Sequence, residues 1–407
     1  MAPDLNLGPA QPGEPTLRWM SRASTIDGIE RELAKIWAMP AMATHVEDDE
    51  RHVAARTSVM NLVVVARRPE IGEHCAAIIS QLTGRHPSRT LICSPADPDG
   101  PGWLDARITA NCMLAREGAT ETCAETIFVT AGGETGRHIA AIVEPLLVHD
   151  LPVTVWWPGE TPLASRQAID LLEDAQRLVI DGSAWTGDGL DHLREVAGLV
   201  DAGDVSVFDF ALIRQSRWRE AIASAFDMPS LLPFLHSLRR IEVTYGTHDD
   251  PARPGTTNMV KPLYHAAWLG SRLGMTVVRP LAVLGPEQGG LGYSGTLRYG
   301  RVEVVVVLRP ARSEMPSGTT TRIQLQARRR GSELLVDVTA EAETVAVHAS
   351  QDGTELLDRR FLAPRRTEAD LLAEAIEAPQ RDIVGDGAIR MAARMVAPRE
   401  AKPGATG

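Results

Sequence analysis

Between residues 59 and 226, short apolar runs alternate with segments of helical period, and this alternation restricts the chain to a small set of folds. Val59 to Ala66 reads as a buried strand, and Ile71, Cys75, Ile78 and Leu82 then mark one face of a helix that Gly84 ends. Arg89 to Ser94 is the next strand, which completes a βαβ unit with parallel strands and a right-handed crossover. Residues 105–130 read as two strands about a turn at Glu117-Gly118, a hairpin set into the parallel pattern. The pattern resumes with a helix over Ile139, Ile142, Val143 and Leu146, a strand Pro152 to Trp157, a helix Leu163 to Asp174 and a strand Leu178 to Asp181. A helix over Leu190, Leu193, Val196, Ala197 and Val200 leads to a strand Val205 to Phe210, and a helix from Trp218 to Phe226 is stopped by Pro229. Strands separated by helices of this length require a layered, mostly parallel sheet.

After about residue 240 the grammar changes. Ile241 to Tyr245 is a short strand and Pro262 to Leu273 a helix. Strands then follow one another directly: Ile323, Leu325 and Ala327, then Leu334, Val336 and Val338, then Val345 and Val347 alternate with polar neighbours. Alternation with one wet face marks an antiparallel sheet. Two helices, at about 367–378 and 381–396, follow. The expected class is α/β, with an N-terminal, mostly parallel layered sheet followed by a C-terminal α+β domain built on an antiparallel sheet. The expected parts are a flexible leader over 1–23, an α/β domain over 24–240, an α+β domain over 241–397 and a disordered tail over 398–407. The α/β domain opens with a helix carrying Ile26, Ile29, Leu33, Ile36 and Trp37, for which Ser24 is the expected N-cap, and residues 40–57 read as a linker.

Composition narrows the function. Lys+Arg 42 against Asp+Glu 53 gives a net charge of −11, which argues against nucleic acid or an anionic membrane as partner. The apolar run Val304 to Leu308 is far short of a membrane helix, and the Pro- and Gly-rich start has no apolar stretch of a secretory signal, so the expectation is a cytoplasmic protein. Cys75, Cys93, Cys112 and Cys123 are too few for a disulfide scaffold. The histidines and cysteines form no metal-ligand spacing, and the sequence suggests no cofactor.

Four segments could carry binding chemistry. Gly132-Gly133-Glu134-Thr135-Gly136 lies between a strand and a helix, either as a plain βα turn or as a small anion site; the dinucleotide and P-loop spacings are absent. Arg85, His86, Ser88 and Arg89 crowd forks and an imidazole suited to phosphate or carboxylate around a helix stop, where they read equally well as solvated charge. Trp156 and Trp157 end a strand, so alternation sends one indole to each face: the alternatives are that both are core, or that one is an anchor for a partner at the strand's carboxyl end. Arg214, Arg217 and Arg219 flank Trp218 at a helix start, where positive charge opposes the macrodipole and calls for a carboxylate partner. His86, His138 and His149 are general-base candidates without a recognisable nucleophile beside them.

In order, Met60-Asn61-Leu62-Val63-Val64, Arg85-His86-Pro87-Ser88-Arg89, Cys123-Ala124-Glu125, Asp150-Leu151-Pro152-Val153 running into Trp156-Trp157-Pro158-Gly159, and Trp218-Arg219-Glu220 ending in Phe226-Asp227 form a set. With these segments the chain resembles the OpcA family, the assembly and activator proteins of glucose-6-phosphate dehydrogenase. It departs from the family pattern at Leu212, where a Trp is usual, and at Arg217, where a Pro is usual. It also has no cysteine beyond Cys123, whereas some relatives carry a C-terminal pair. The resemblance implies a non-catalytic partner that binds the dehydrogenase and favours its active oligomer, a shift of population by differential affinity. The alternatives are a sugar-phosphate-binding enzyme or lactonase-like α/β protein that uses the arginine and glycine segments, and a redox-responsive regulator.

Three structural expectations follow. Trp157 and the Arg214–Trp218–Arg219 segment share a docking face for the dehydrogenase. Residues 300–350 contribute to assembly. With a two-residue turn at Glu117-Gly118, Cys112 faces Cys123 across the hairpin, either as a redox pair or as two buried thiols.

Overall fold

A computed structural model describes residues 14–38, 45–47, 50–52, 55–56, 58–97, 99–114, 121–161, 166–248, 257–284 and 291–396. Grouped by contact, the chain forms two compact units: Met1–Ile180 with Asp204–Ser206 and Thr367–Gln380, and Asp181–Gly203 with Val207–Arg366 and Arg381–Gly407. This grouping does not follow the change of element grammar at residue 240.

The first unit holds β1 (Pro15–Ala23), β2 (His45–Glu47), β3 (Glu50–His52), β4 (Ala55–Arg56), β5 (Met60–Val65), β6 (Ser88–Pro95), β7 (Trp103–Leu114), β8 (Glu121–Gly132), β9 (Val153–Trp157) and β10 (Arg177–Ile180). Its main sheet runs β1-β7-β8-β6-β5-β9-β10 and on to β11 (Ser206–Asp209), with β4 added beside β8. The pairs β8–β6, β6–β5, β5–β9 and β9–β10 are parallel, while β1–β7 and β7–β8 are antiparallel. Counted along the chain, the five parallel strands lie in the order 3-2-1-4-5, and the order reverses between β5 and β9. That reversal is the switch point at which sheets of this kind hold ligands.

Burial on both faces explains why β5, β6 and β9 carry apolar side chains at successive positions, as in Leu62-Val63-Val64, Leu91-Ile92-Cys93 and Val155-Trp156-Trp157. The helix after β5, Pro69–Ser80, starts with Pro at a position where no N–H is needed. Gly72 lets this helix sit on the sheet, since a Cβ there would come within 2.7 Å of the Phe128 ring. The helix Glu368–Glu377 also belongs to this unit, tied to it by His74–Glu368 at 2.6 Å and by Arg85 donating to Glu377 at 2.6 Å.

Several expectations are corrected here. Pro15–Ala23 is not a flexible leader but a strand paired antiparallel with β7, which covers the edge of the hairpin. The first helix, Ile26–Ala38, is capped by Thr25, whose Oγ1 accepts the Gly28 N–H at 3.0 Å, one residue later than Ser24. Within 40–57, β2 pairs with β3 and β4 with β8, so this stretch carries structure of its own. Residues 1–13, the tail over 398–407 and the Glu117-Gly118 turn lie outside the described residues.

The chain enters the second unit three times, after β10, within β11 and after Gln380. This unit is built on β12 (Leu238–Thr247), β13 (Thr276–Val283), β14 (Tyr293–Tyr299), β15 (Val302–Arg312), β16 (Thr320–Arg329), β17 (Ser332–Ala340), β18 (Thr344–Gln351) and β19 (Thr354–Leu362). The sheet order is β13-β14-β15-β12-β16-β17-β18-β19. Antiparallel pairing holds throughout except between β12 and β15, which are parallel. The helix Ser216–Phe226 packs on β17–β19, and the helix Val260–Arg272 packs on β12 and β15. The opposite face carries part-exposed charge pairs, including Arg309 with Glu242 at 2.7 Å and Arg322 with Asp337. Among the described residues no helix is long and apolar enough to cross a membrane.

Candidate functional site

In the first unit, the residues singled out from sequence find partners inside the protein. Trp156 and Trp157 are 1% and 0% exposed, so neither indole is available as a surface anchor. Alternation does send them to opposite faces, but both faces of β9 are covered. Arg85 and His86 share the Glu377 carboxylate, at 2.6 Å and 2.8 Å. Arg89 is buried and donates to Glu125, itself wholly buried, and to the Leu146 carbonyl at 2.9 Å. Ser88 Oγ lies 2.9 Å from Thr90 Oγ1. These four residues therefore bind carboxylates and hydroxyls of the chain itself, and do not converge on one open anion cradle.

The glycine loop is equally committed. Gly133 takes a positive φ of 57°, and its N–H donates to the Asp97 carbonyl at 2.9 Å. Gly132 lies against the Trp103 indole, which occupies the space a Cβ would need. His138 pairs with Glu134 at 3.0 Å. Cys112 and Cys123 are directly opposed in the β7–β8 register and joined by a disulfide, whereas Cys75 and Cys93 are free and buried. Burial pushes both free thiols up to about 12, which suppresses the thiolate.

The second unit holds a denser polar cluster. Asp209, at the end of β11, caps the short helix Phe210–Ile213 by accepting the Ala211 N–H at 2.8 Å. It also accepts the Gly182 N–H at 2.9 Å and the Tyr264 hydroxyl at 2.8 Å. Burial, and next the charge of Asp181, push its carboxyl up to about 7 despite these donors. Asp181 accepts from Ser183 Oγ at 2.6 Å and takes both its oxygens to Arg214 Nη1, at 2.9 Å and 2.8 Å. Asn258 ties the segments together by donating to the Gly182 and Trp185 carbonyls at 2.9 Å and 3.0 Å.

The helix Val260–Arg272 closes the cluster from the other side. Gln215 Nε2 donates to the Lys261 carbonyl at 2.7 Å. Burial, then repulsion by Arg214, lower the Lys261 ammonium to about 8. One turn on, His265 is lowered to about 3 by burial, with Arg219 and Lys261 adding to the shift, so its imidazole is neutral at neutral pH. Trp218 lies with its ring 5.3 Å from that imidazole.

The three arginines around Trp218 do not form a free ring of charge. Arg214 holds Asp181, Arg217 pairs with Glu220 at 2.6 Å, and Arg219 donates to the Leu212 carbonyl at 3.1 Å. For Arg214 and Arg217 the expected carboxylate partner is thus within the chain. Sequence reasoning missed Asp181, Asp209, Lys261, Tyr264 and His265. The available signals were a carboxylate at the end of each of two apolar strands, and Lys261 as one of only three lysines. Among the described residues no group of three or more His, Cys, Asp or Glu is placed to hold a metal ion.

Two family models match the chain: "Glucose-6-phosphate dehydrogenase subunit N-terminal domain" over residues 79–197, and the corresponding "C-terminal domain" over residues 205–385. No curated protein sequence matches. Solved structures resemble the chain at low identity. An NAD binding oxidoreductase from Klebsiella pneumoniae is 11% identical with a TM-score of 0.47, covering 83% of this chain and 97% of its own. A putative oxidoreductase from Thermotoga maritima is 11% identical with a TM-score of 0.42, covering 83% and 96%. The transcriptional regulator Gal80p from Kluyveromyces lactis is 11% identical with a TM-score of 0.42, covering 83% and 91%.

Proposed function

Because the chain belongs to the OpcA family of glucose-6-phosphate dehydrogenase subunits, we propose that it acts in the cytoplasm as a non-catalytic partner that binds the dehydrogenase and favours its active oligomer. The observation that carries this reading is the pair of family matches, which together span most of residues 79–385. The switch point of the first sheet is consistent with it. Where a dinucleotide-binding sheet places glycines after its first parallel strand, this chain has Ala66-Arg67-Arg68-Pro69. Arg67 and Arg68 are exposed there, and the helix begins on a proline.

Docking is assigned to the face of the second sheet that lies opposite its helices, within and around residues 300–350. Its charges are paired with one another across neighbouring strands, as in Arg309 with Glu242 and Arg322 with Asp337, and part-exposed Leu335 lies on the same sheet. An apolar side chain ringed by polar groups matches the anatomy of an interface, an apolar centre inside a polar rim.

The test is kinetic. Full-length protein added to the dehydrogenase of the same organism should co-elute with it, and should raise its kcat or lower its KM for glucose 6-phosphate. Alone, it should turn over neither sugar phosphates nor their lactones. Leu335→Arg should fold and fail to co-elute. Turnover by the isolated chain, or kinetics of the dehydrogenase that do not respond to it, would reject the proposal.

A further inference from the structure

Lys261 stands in the first turn of the helix Val260–Arg272, where no acidic residue balances it and where the helix end is itself positive. The side chain is half-buried. Among the described residues Nζ has one hydrogen-bond partner, Thr319 Oγ1 at 3.4 Å, and no carboxylate at ion-pair distance. Arg214, whose charge acts on Lys261, uses only one of its nitrogens: Nη1 donates to both oxygens of Asp181 and to Ser183 Oγ. The guanidinium lies over the Phe210 ring at 5.7 Å, and Nε and Nη2 have no partner among the described residues.

The charge is therefore unmatched. Asp181 is the one carboxylate that favours the charged form of Lys261, and it is already clamped to Arg214. Polar capacity is unmatched as well. His265, one turn on from Lys261, is 1% exposed, yet its Nδ1 has no hydrogen-bond partner. Buried polar atoms without partners are rare enough to need a cause.

We propose that Lys261 and the unused edge of Arg214 bind a small dianion of the phosphate class, with the Thr319 and Ser183 hydroxyls beside it. A tetrahedral dianion offers enough acceptor oxygens to take a guanidinium fork and an ammonium at once. The site lies wholly within the second unit and does not depend on the dehydrogenase. A bound dianion favours the ammonium form of Lys261, so binding near pH 8 takes up protons.

The test is calorimetric titration of the full-length protein with inorganic phosphate, against sodium chloride at matched ionic strength. Near neutral pH the expected result is saturable binding, weakened at least roughly tenfold in Lys261→Met. Removing an unpaired, half-buried charge leaves folding intact, which a thermal midpoint at or above the wild-type value in phosphate-free buffer checks. Near pH 8, the wild-type enthalpy should change with the ionisation enthalpy of the buffer. Lys261→Arg should keep the affinity within a few-fold and lose this buffer dependence. No phosphate binding beyond the chloride control, or equal binding by Lys261→Met, overturns the site.

Discussion

Asp209 ties stability to pH through a carboxyl that burial holds at about 7. In the unfolded chain an aspartate ionises near pH 4. Between these values the folded state keeps a proton that the unfolded state has lost. The stabilisation is therefore complete below about pH 4 and disappears as pH rises through 7. His265 acts in the opposite sense: with its imidazole lowered to about 3, the folded state is weakened as pH falls below the ordinary histidine range. Asp209→Asn keeps an oxygen for the Gly182 and Ala211 N–H groups and leaves His265 in place. Urea unfolding should show the mutant gaining on the wild type as pH rises from 4 to 7, by up to about 4 kcal/mol. A difference that does not change with pH would contradict the assignment. Arg89 makes a second residue-scale case. Arg89→Met leaves the wholly buried Glu125 without its cation and should cost about 3–5 kcal/mol in denaturant melts of the first unit. The double change Arg89→Met with Glu125→Met should recover most of that loss.

At the scale of elements, periodicity and short apolar runs made the parallel strands legible, because a strand covered on both faces carries apolar side chains at successive positions. The same double cover hid the fate of Trp156 and Trp157, since alternation assigns faces and says nothing of what lies over them. β1 was read as a leader because Pro15–Ala23 mixes polar and apolar residues as an edge strand does. The clustered residues Asp181, Asp209 and Lys261 lie far apart in sequence and meet only through tertiary packing, so no local spacing marks them. The hairpin register was legible, and it opposes Cys112 to Cys123 as expected. The bond closes a short loop and should add about 3 kcal/mol in the chain-entropy account. Thiol titration of denatured protein should find two free thiols, Cys75 and Cys93, rising to four after dithiothreitol. Four before reduction would show the pair open in solution. Cys112→Ser should lower the thermal midpoint of oxidised protein and leave that of reduced protein nearly unchanged.

For the whole molecule, the change of grammar near residue 240 was visible, but the exchange of segments between the units was not, because an amphipathic helix carries no mark of the unit it joins. Glu368–Glu377 returns to the first unit, where Glu377 satisfies Arg85 and His86, and where Arg177 donates to the Ala375 and Ala378 carbonyls at 3.0 Å and 2.7 Å. A chain ending at residue 240 lacks this helix and keeps only part of the second unit. It should aggregate on size-exclusion chromatography or be cut rapidly by protease at low enzyme ratio, whereas the full chain resists. A truncated chain as monodisperse and protease-resistant as the full one would show that the returning helix is dispensable.

The returning helix also bears on synthesis. Domains generally complete in the order in which the ribosome delivers them. Here the first unit lacks a part until Gln380 of 407 residues has been translated, and the second still awaits Arg381–Gly407. Neither half can finish well ahead of the other. The nascent chain must therefore leave the part of the first unit that Glu368–Glu377 joins uncovered through most of its elongation.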